Sequence, residues 1–453
     1  METNVRNSDL TEGVIWKKLI VFFFPILLGT LFQQLYNTVD AIIVGRFVGT
    51  LALAAVGGSA AMIINLIVGF FVGLSSGAMV IISQYYGASD PEHLSEAVHT
   101  SIAFAIAAGA FLTVAGILSA PWMLRIVHNP EDIMADSILY LRIFYVGTIP
   151  LMLFNIGSGI LRAVGDSKRP LYYLIVCCVL NIVLDIVFVT VFHMGVAGVA
   201  WATVISLAVS ALLILINLST TTALYRLELK RIRLRLAPLT RILYIGIPAG
   251  VQSAMYSLSN LIIQAAINGL GTPVVAAWTT CGKLDGIYWS VSNSFGVAIM
   301  AFSGQCFGAK KYDRMKRSTW VCMGLALGAS VVLATFLLTL GKYCYHIFTD
   351  DAVVIDYAVE MLFYFAPFYV VWTFIEVLSN SLRGAGDAVR PMIITMVGVC
   401  GIRVLWTLLV VPQWNTVMGI SLCYPVSWTV TALAFVVYYF KSDWLKRCIG
   451  NAA

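Results

Sequence analysis

The chain has 453 residues, of which 60% are apolar and only 11% charged, and it carries a formal net charge of +6. Soluble domains carry roughly 25% charged residues, so this composition excludes an ordinary water-soluble globule and describes a polytopic membrane protein. The positive balance does not point to a nucleic-acid partner, because the basic residues fall in loops between apolar stretches, where the excess of Lys and Arg in cytoplasmic loops accounts for them.

Apolar stretches broken by polar turns predict an all-α integral membrane fold of about twelve helices, over residues 19–45, 54–83, 97–120, 136–160, 171–192, 196–219, 241–268, 274–305, 319–340, 353–380, 392–411 and 418–440. The amino-terminal segment, with Arg6, Lys17 and Lys18, shows no small-residue cleavage site behind a short apolar core, so the first helix is read as retained. The nine cysteines lie mostly in predicted spans, with no paired spacing beyond adjacent Cys177 and Cys178, which argues against a disulfide framework or a zinc site. Placing the first tail in the cytoplasm puts the Lys/Arg clusters at 162–169, 226–241, 310–317, 383–390 and 441–447 on that side. Only Arg46, Arg125 and Lys342 fall in or near the opposite loops. Both termini are therefore expected on the cytoplasmic face of the plasma (cell inner) membrane.

The chain also repeats itself. Leu161-Arg162-Ala163-Val164-Gly165-Asp166, followed by Arg169-Pro170, returns as Leu382-Arg383-Gly384-Ala385-Gly386-Asp387, followed by Arg390-Pro391. Pro25 and Asn37 match Pro248 and Asn260, and Gln84, Gly87 and Ala88 match Gln305, Gly308 and Ala309. These matches predict an N-terminal six-helix lobe over 1–219, a basic cytoplasmic linker over 220–240 and a C-terminal six-helix lobe over 241–453. The lobes read as parallel repeats related by an axis along the membrane normal.

Acids inside apolar spans carry the functional signal. A charged Asp near the bilayer centre costs about 2.5 to 3.5 kcal/mol on insertion scales, and Asp40 and Asp185 both occupy such spans. At helical rise Asp40, Asp185 and Thr203 lie roughly 9 to 11 Å below the external boundary. Asn181 is one turn deeper than Asp185 on the same face, and Tyr140 is slightly shallower. These residues are expected to form one cation-coupling site. Carboxylate, amide and hydroxyl oxygens suit Na+, a hard cation, and a pair of buried carboxylates suits H+ equally well. Hydrogen bonding between helices is the plainer use of such residues, but two acids at matched depth cost more than packing requires. In the second half Lys283, Asp285, Glu376 and Arg403 are the deep charges. Asp285 and Arg403 are expected to pair across their lobe; otherwise these four, with Gln34, Asn37 and Gln252, line a substrate cavity.

Several motifs together now resemble a known family: Tyr36-Asn37-Thr38-Val39-Asp40, the Gln84-Tyr85-Tyr86-Gly87-Ala88 helix end, the paired Arg-x-x-Gly-Asp turns, and Gly195-Val196-Ala197-Gly198-Val199-Ala200-Trp201-Ala202-Thr203. Their order over nearly the whole chain is similar to that of the multidrug and toxic compound extrusion family. The resemblance implies two six-helix lobes that export organic cations and other amphipathic compounds, drugs or metabolites, in exchange for Na+ or H+, with no further cofactor. In the subgroup that carries its acids in the first lobe, the matching positions are Asp40, Asn181, Asp185 and Thr203, with Tyr140 a looser match. Where other members place an acid in span seven, this sequence has Gln252, which cannot ionise. The expected partners are small amphipathic substrates and the lipid bilayer, with the chain acting as a monomer.

Other classes fit less well. The Gly-Lys pairs at Gly282-Lys283 and Gly341-Lys342 lack the Ser or Thr of a phosphate-binding loop, and the five histidines show no metal-ligand spacing, so no enzymatic centre is visible. The Gly384-Ala385-Gly386-Asp387 turn matches the pattern of intramembrane aspartyl proteases, but Arg383 and Arg390 are expected to hold Asp387 at the cytoplasmic edge, and aspartyl catalysis needs a second facing acid. A lipid-linked oligosaccharide flippase of a related family would call for a more cationic cavity than Lys283 and Arg403 provide.

Overall fold

The computed structural model describes residues 9–452, and Arg6 lies outside them. Long helices follow one another, with no strand among the described residues. They are α1 (Ile15–Val48), α2 (Thr50–Gly87), α3 (Pro91–Ile126), α4 (Glu131–Val146 continued by Thr148–Ala163), α5 (Lys168–Val191) and α6 (Gly195–Thr220) in the first half. The second half holds α7 (Leu236–Asn268), α8 (Thr272–Gly308), α9 (Tyr312–Tyr345), α10 (Ala352–Gly384), α11 (Val389–Leu409) and α12 (Val417–Lys441), before a short α13 (Trp444–Ala452). Among the described residues nine of these are long and apolar enough to cross a membrane, and ten if the two segments of α4 count as one span. The other two, α7 and α8, are 33 and 37 residues long and carry Gln252, Asn260, Lys283 and Asp285.

Most helices outrun the apolar stretches that announce them. Hydropathy places the start of α9 at 319, whereas the helix begins at Tyr312, because Asp313 favours the positive helix start and the adjacent Lys316 and Arg317 are exposed to a polar medium. Apolar residues that remain exposed define lipid faces. On α3, Phe111, Val114, Leu118 and Trp122 recur at helical spacing and are 61–75% exposed. The 48° bend in α4 falls at Gly147-Thr148-Ile149-Pro150, where proline cannot complete the hydrogen-bond ladder. The Thr113 and Thr148 hydroxyls donate to the Tyr145 carbonyl there, at 2.9 and 2.7 Å, and keep that bend satisfied.

The repeated turns share their mechanics. Gly165 and Gly386 sit at φ +89° and +103°, a region closed to most side chains. Asp166 accepts from the Lys168 and Arg169 amides at 3.1 Å each and pairs with the Arg169 guanidinium. Asp387 is held by Arg390 at 3.5 Å and by the Tyr438 hydroxyl. The expectation that Arg383 also holds Asp387 is corrected: Arg383 turns into the helix packing and donates to Gln252 and Asn380. Gln252 Oε1 accepts from the Arg383 guanidinium at 2.7 Å.

The chain divides into two compact units, one of Phe24–Gly250 and the other of Leu10–Phe23 with Val251 onward. These bounds differ from lobes of 1–219 and 241–453, because α1 and α7 are each shared. Both divide beside a proline inside the helix, Pro25 in α1 and Pro248 in α7. In the second unit Phe23 stacks on Phe295 at 4.0 Å, while Lys311 and Arg314 donate to the backbone carbonyls of Thr11, Leu10 and Glu12. In the first unit the early part of α7 packs on α2 so closely that a Cβ on Gly246 would stand 2.5 Å from the Leu74 carbonyl, and one on Gly250 2.7 Å from that of Phe70. Small residues spaced by four allow this backbone approach.

Candidate functional site

In the first unit α1, α4, α5 and α6 bring five predicted residues together. Asn181 and Asp185 lie one turn apart on α5 and are 1% and 0% exposed, while Thr203 on α6 and Tyr140 on α4 are each 7% exposed. Asp40 on α1 is half-buried. The Asp40 and Asp185 carboxyl groups interact electrostatically. Two ionised carboxylates are acceptors only and repel one another, so neither can satisfy the other.

The Asn181 amide explains the rest of the geometry. Its Nδ2 donates to Thr203 Oγ1 at 3.4 Å, and that hydroxyl donates in turn to the Val199 carbonyl at 3.2 Å. With its NH2 so directed, Asn181 leaves Oδ1 without a donor. Asp40 Oδ1 and both Asp185 carboxylate oxygens are likewise buried with no hydrogen-bond donor. Buried oxygens of this kind are costly unless a positive species satisfies them. The apolar packing around them includes Val44, Val189, Val196, Val199, Ala200 and Val204, which lowers the local dielectric and sharpens that demand.

Two features lay beyond the sequence reading. Both acids lie within one helical turn of π-helical segments, Val44–Val48 after Asp40 and Val187–Val191 after Asp185. Such turns widen the helix and recur at functional sites. Tyr36, one turn before Asp40, lies with Tyr140 in electrostatic range of that acid; its i, i+4 spacing was the available signal.

The remaining candidates part company. Gln34, Asn37 and Lys283 are exposed. In the second unit Glu376 Oε1 accepts from Asn380 Nδ2 at 2.9 Å, and Arg383 donates to Gln252 Oε1 at 2.7 Å and to Asn380 Oδ1 at 3.5 Å. Gly296 makes room for this network, since a Cβ there would meet Asn380 Nδ2 at 2.6 Å and the Glu376 carboxyl group. The expected Asp285–Arg403 pair does not form. Tyr369 donates its hydroxyl to Asp285, whereas Arg403 donates to Asn260 Oδ1 at 3.2 Å and lies over the Tyr424 ring at 4.1 Å. A phenol and an aromatic face nearer to hand take up each charge. Asn380, Arg383, Tyr369 and Tyr424 were thus missed as site neighbours.

Comparison with known proteins agrees with this architecture. The MatE family pattern matches residues 25–187 and 248–409, once in each half. The chain is 26% identical over 446 residues to the probable multidrug resistance protein YpnP of Bacillus subtilis (strain 168), covering 97% of this chain and 98% of that protein. It is 26% identical over 407 residues to the probable multidrug resistance protein NorM of Streptococcus pneumoniae serotype 4 (strain ATCC BAA-334 / TIGR4), covering 86% and 87%. Its fold matches a solved structure described as the outward-facing conformation of a multidrug resistance MATE family transporter of the MOP superfamily, with TM-score 0.87 and 22% identity over 97% of each chain. A crystal structure of MATE in the bent conformation gives TM-score 0.88, at 21% identity over 98% of each chain. The chain belongs to the MatE family, whose members are multi-pass membrane transporters of multidrug efflux and not enzymes.

Proposed function

We propose that the protein is a secondary active antiporter of the plasma membrane, with both termini cytoplasmic, that exports amphipathic and often cationic compounds as inward Na+ or H+ moves down its gradient. The observation that carries this reading is the set of buried, donor-less oxygens on Asp40, Asn181 and Asp185. Either a proton shared by the two carboxyl groups or a sodium ion among these oxygens would satisfy them, with Thr203 orienting Asn181 and Tyr140 and Tyr36 closing the polar boundary. Each inward unit charge contributes about 2.3 kcal/mol per 100 mV of membrane potential. Exchange requires that cation and drug favour opposite conformations, so each must weaken the other's binding.

Since Arg383 is engaged by Gln252 and Asn380, Arg403 remains as a deep cation with few partners, which is less than a carrier of lipid-linked phosphates calls for. The test is dye efflux from proteoliposomes holding the full chain, with inward Na+ and inward H+ gradients imposed separately. One of the two gradients is expected to drive efflux. No efflux under either gradient contradicts antiport.

A further inference from the structure

The segment between α6 and α7, residues 221–235, carries five basic residues against one acid, Glu228, and its backbone is fastened to the first unit. Buried His99 has its Nδ1 at 2.6 Å from the Ser95 carbonyl, which can only accept, so Nδ1 bears the hydrogen and Nε2 accepts the Glu228 N–H at 2.9 Å. The Leu227 N–H donates to the Leu218 carbonyl at 2.8 Å, and the Thr100 hydroxyl donates to the Arg233 carbonyl at 3.4 Å. The side chains of Tyr225 and Leu227 are buried. The segment therefore has a fixed inner side and a fixed outer side.

The outer side is apolar and basic at once. Leu224, Leu229, Leu234 and Leu236 are 51–79% exposed, and outward leucines grouped in so short a stretch mark a surface that something covers. Among the basic residues Arg226 is engaged by the Ser219 carbonyl at 3.2 Å, Arg231 by Glu228 at 2.9 Å and Arg235 by Glu96. Lys230 and Arg233, exposed and next in sequence to Leu229 and Leu234, have no side-chain partner among the described residues. The membrane-length helix α6 leads into this segment with Leu212 and Ile216 exposed one turn apart, so the segment begins where a lipid-facing surface ends. At that boundary leucines reach the acyl chains while lysine and arginine heads stay among the phosphates. An acidic protein would answer the cations and leave the leucines uncovered.

We propose that this segment is a membrane-surface anchor: Leu229, Leu234 and Leu236 enter the interfacial layer beside the helix bundle, and Lys230 and Arg233 bind the phosphates of anionic phospholipids there. The His99 and Thr100 contacts hold the backbone so that this edge stays outward.

The experiment places the full chain carrying Leu234→Cys in nanodiscs of phosphatidylcholine alone or of an equal mixture with phosphatidylglycerol. It follows modification by an uncharged polyethylene glycol maleimide, read at residue 234 by mass spectrometry so that the native cysteines do not interfere. A nanodisc presents the same lipids on both faces, so the outcome does not depend on which side of the membrane the segment occupies. Phosphatidylglycerol is expected to slow the modification about tenfold, and high salt should restore most of the rate. With Lys230→Gln and Arg233→Gln added, the lipid effect should shrink to within about twofold. All three substituted side chains are exposed, so these variants leave the packing intact. Equal rates in the two membranes, whether fast or slow, overturn the proposal. An undiminished lipid effect in the Lys230→Gln, Arg233→Gln protein also overturns it, since these cations then do not hold the lipid. If phosphatidylglycerol has no effect while soluble polyglutamate slows the modification, the surface serves an acidic protein and the proposal fails.

Discussion

In the first unit Asp40 and Asp185 face each other with buried oxygens that accept no hydrogen bond, whereas in the second Glu376 and Arg383 share a network whose amides, Asn380 and Gln252, answer each charge. The same repeat therefore contains one cluster whose carboxyl oxygens meet no donor and one whose acid and base are each met by an amide, with only the Arg383 Nε of that network unmatched among the described residues. At the places corresponding to Asp40, Asn181 and Asp185 the second half has Ile263, Ile402 and Trp406, and Trp406 spends its indole N–H on the Gly419 carbonyl at 2.8 Å. The contrast is between carboxyl oxygens that no donor meets in the first network and an acid and a base that amides engage in the second, and the proposed coupling role uses the first.

The largest expected effect breaks the first site. Asp185→Asn and Asp40→Asn keep side-chain size but cannot change charge, so each should reduce gradient-driven efflux by about tenfold or more while drug binding stays measurable. Wild-type efflux rates in both variants, with the response to the gradient intact, would falsify the coupling site. Asn181→Ala should also impair coupling, because it removes one of the donor-less oxygens.

The next effects concern stability and sharpen the contrast from the other side. Gly296→Ala drives a methyl group into Asn380 and the Glu376 carboxyl group, and overpacking of this kind costs about 1 to 3 kcal/mol. A thermal-shift assay should show the loss, with coupling per folded molecule unchanged. Gln252→Ala leaves the Arg383 guanidinium short of an acceptor and should cost about 1 to 3 kcal/mol. Although a glutamine in span seven cannot ionise, its removal is thus expected to be felt in stability and not in coupling. Altered cation dependence in Gln252→Ala would show that the second network takes part in coupling.

The smallest effect is a null one. Because Asp285 and Arg403 answer to different partners, the stability losses from Asp285→Asn and Arg403→Gln should add to within about 0.5 kcal/mol in the double variant. A double variant more stable than either single one would restore the ion pair.

The sequence made the helical spans legible because membrane-length apolar runs and basic loops are one-dimensional signals, and it gathered Asp40, Asn181, Asp185, Thr203 and Tyr140 because depth along a helix follows from counting residues. It could not show which neighbour satisfies which charge. Asp285 and Arg403 looked complementary by sign and depth, but the side chains that reach them, Tyr369, Asn260 and Tyr424, are set by helix rotation and packing. Arg383 likewise looked like a turn residue and proved to be a packing residue. The π-helical turns after Asp40 and Asp185 have no composition signature of their own. The sharing of α1 and α7 between units was foreshadowed only by Pro25 and Pro248, which mark where a helix can divide without saying where its ends go.

The most direct measurement of the central claim is drug affinity as a function of Na+ concentration and of pH, on the full chain in nanodiscs, for the wild type and Asp185→Asn. If the acid pair of the first unit holds the coupling cation, raising Na+ or lowering pH should weaken wild-type drug binding by about 5- to 150-fold and leave Asp185→Asn unmoved. The same cation dependence in both proteins would contradict it.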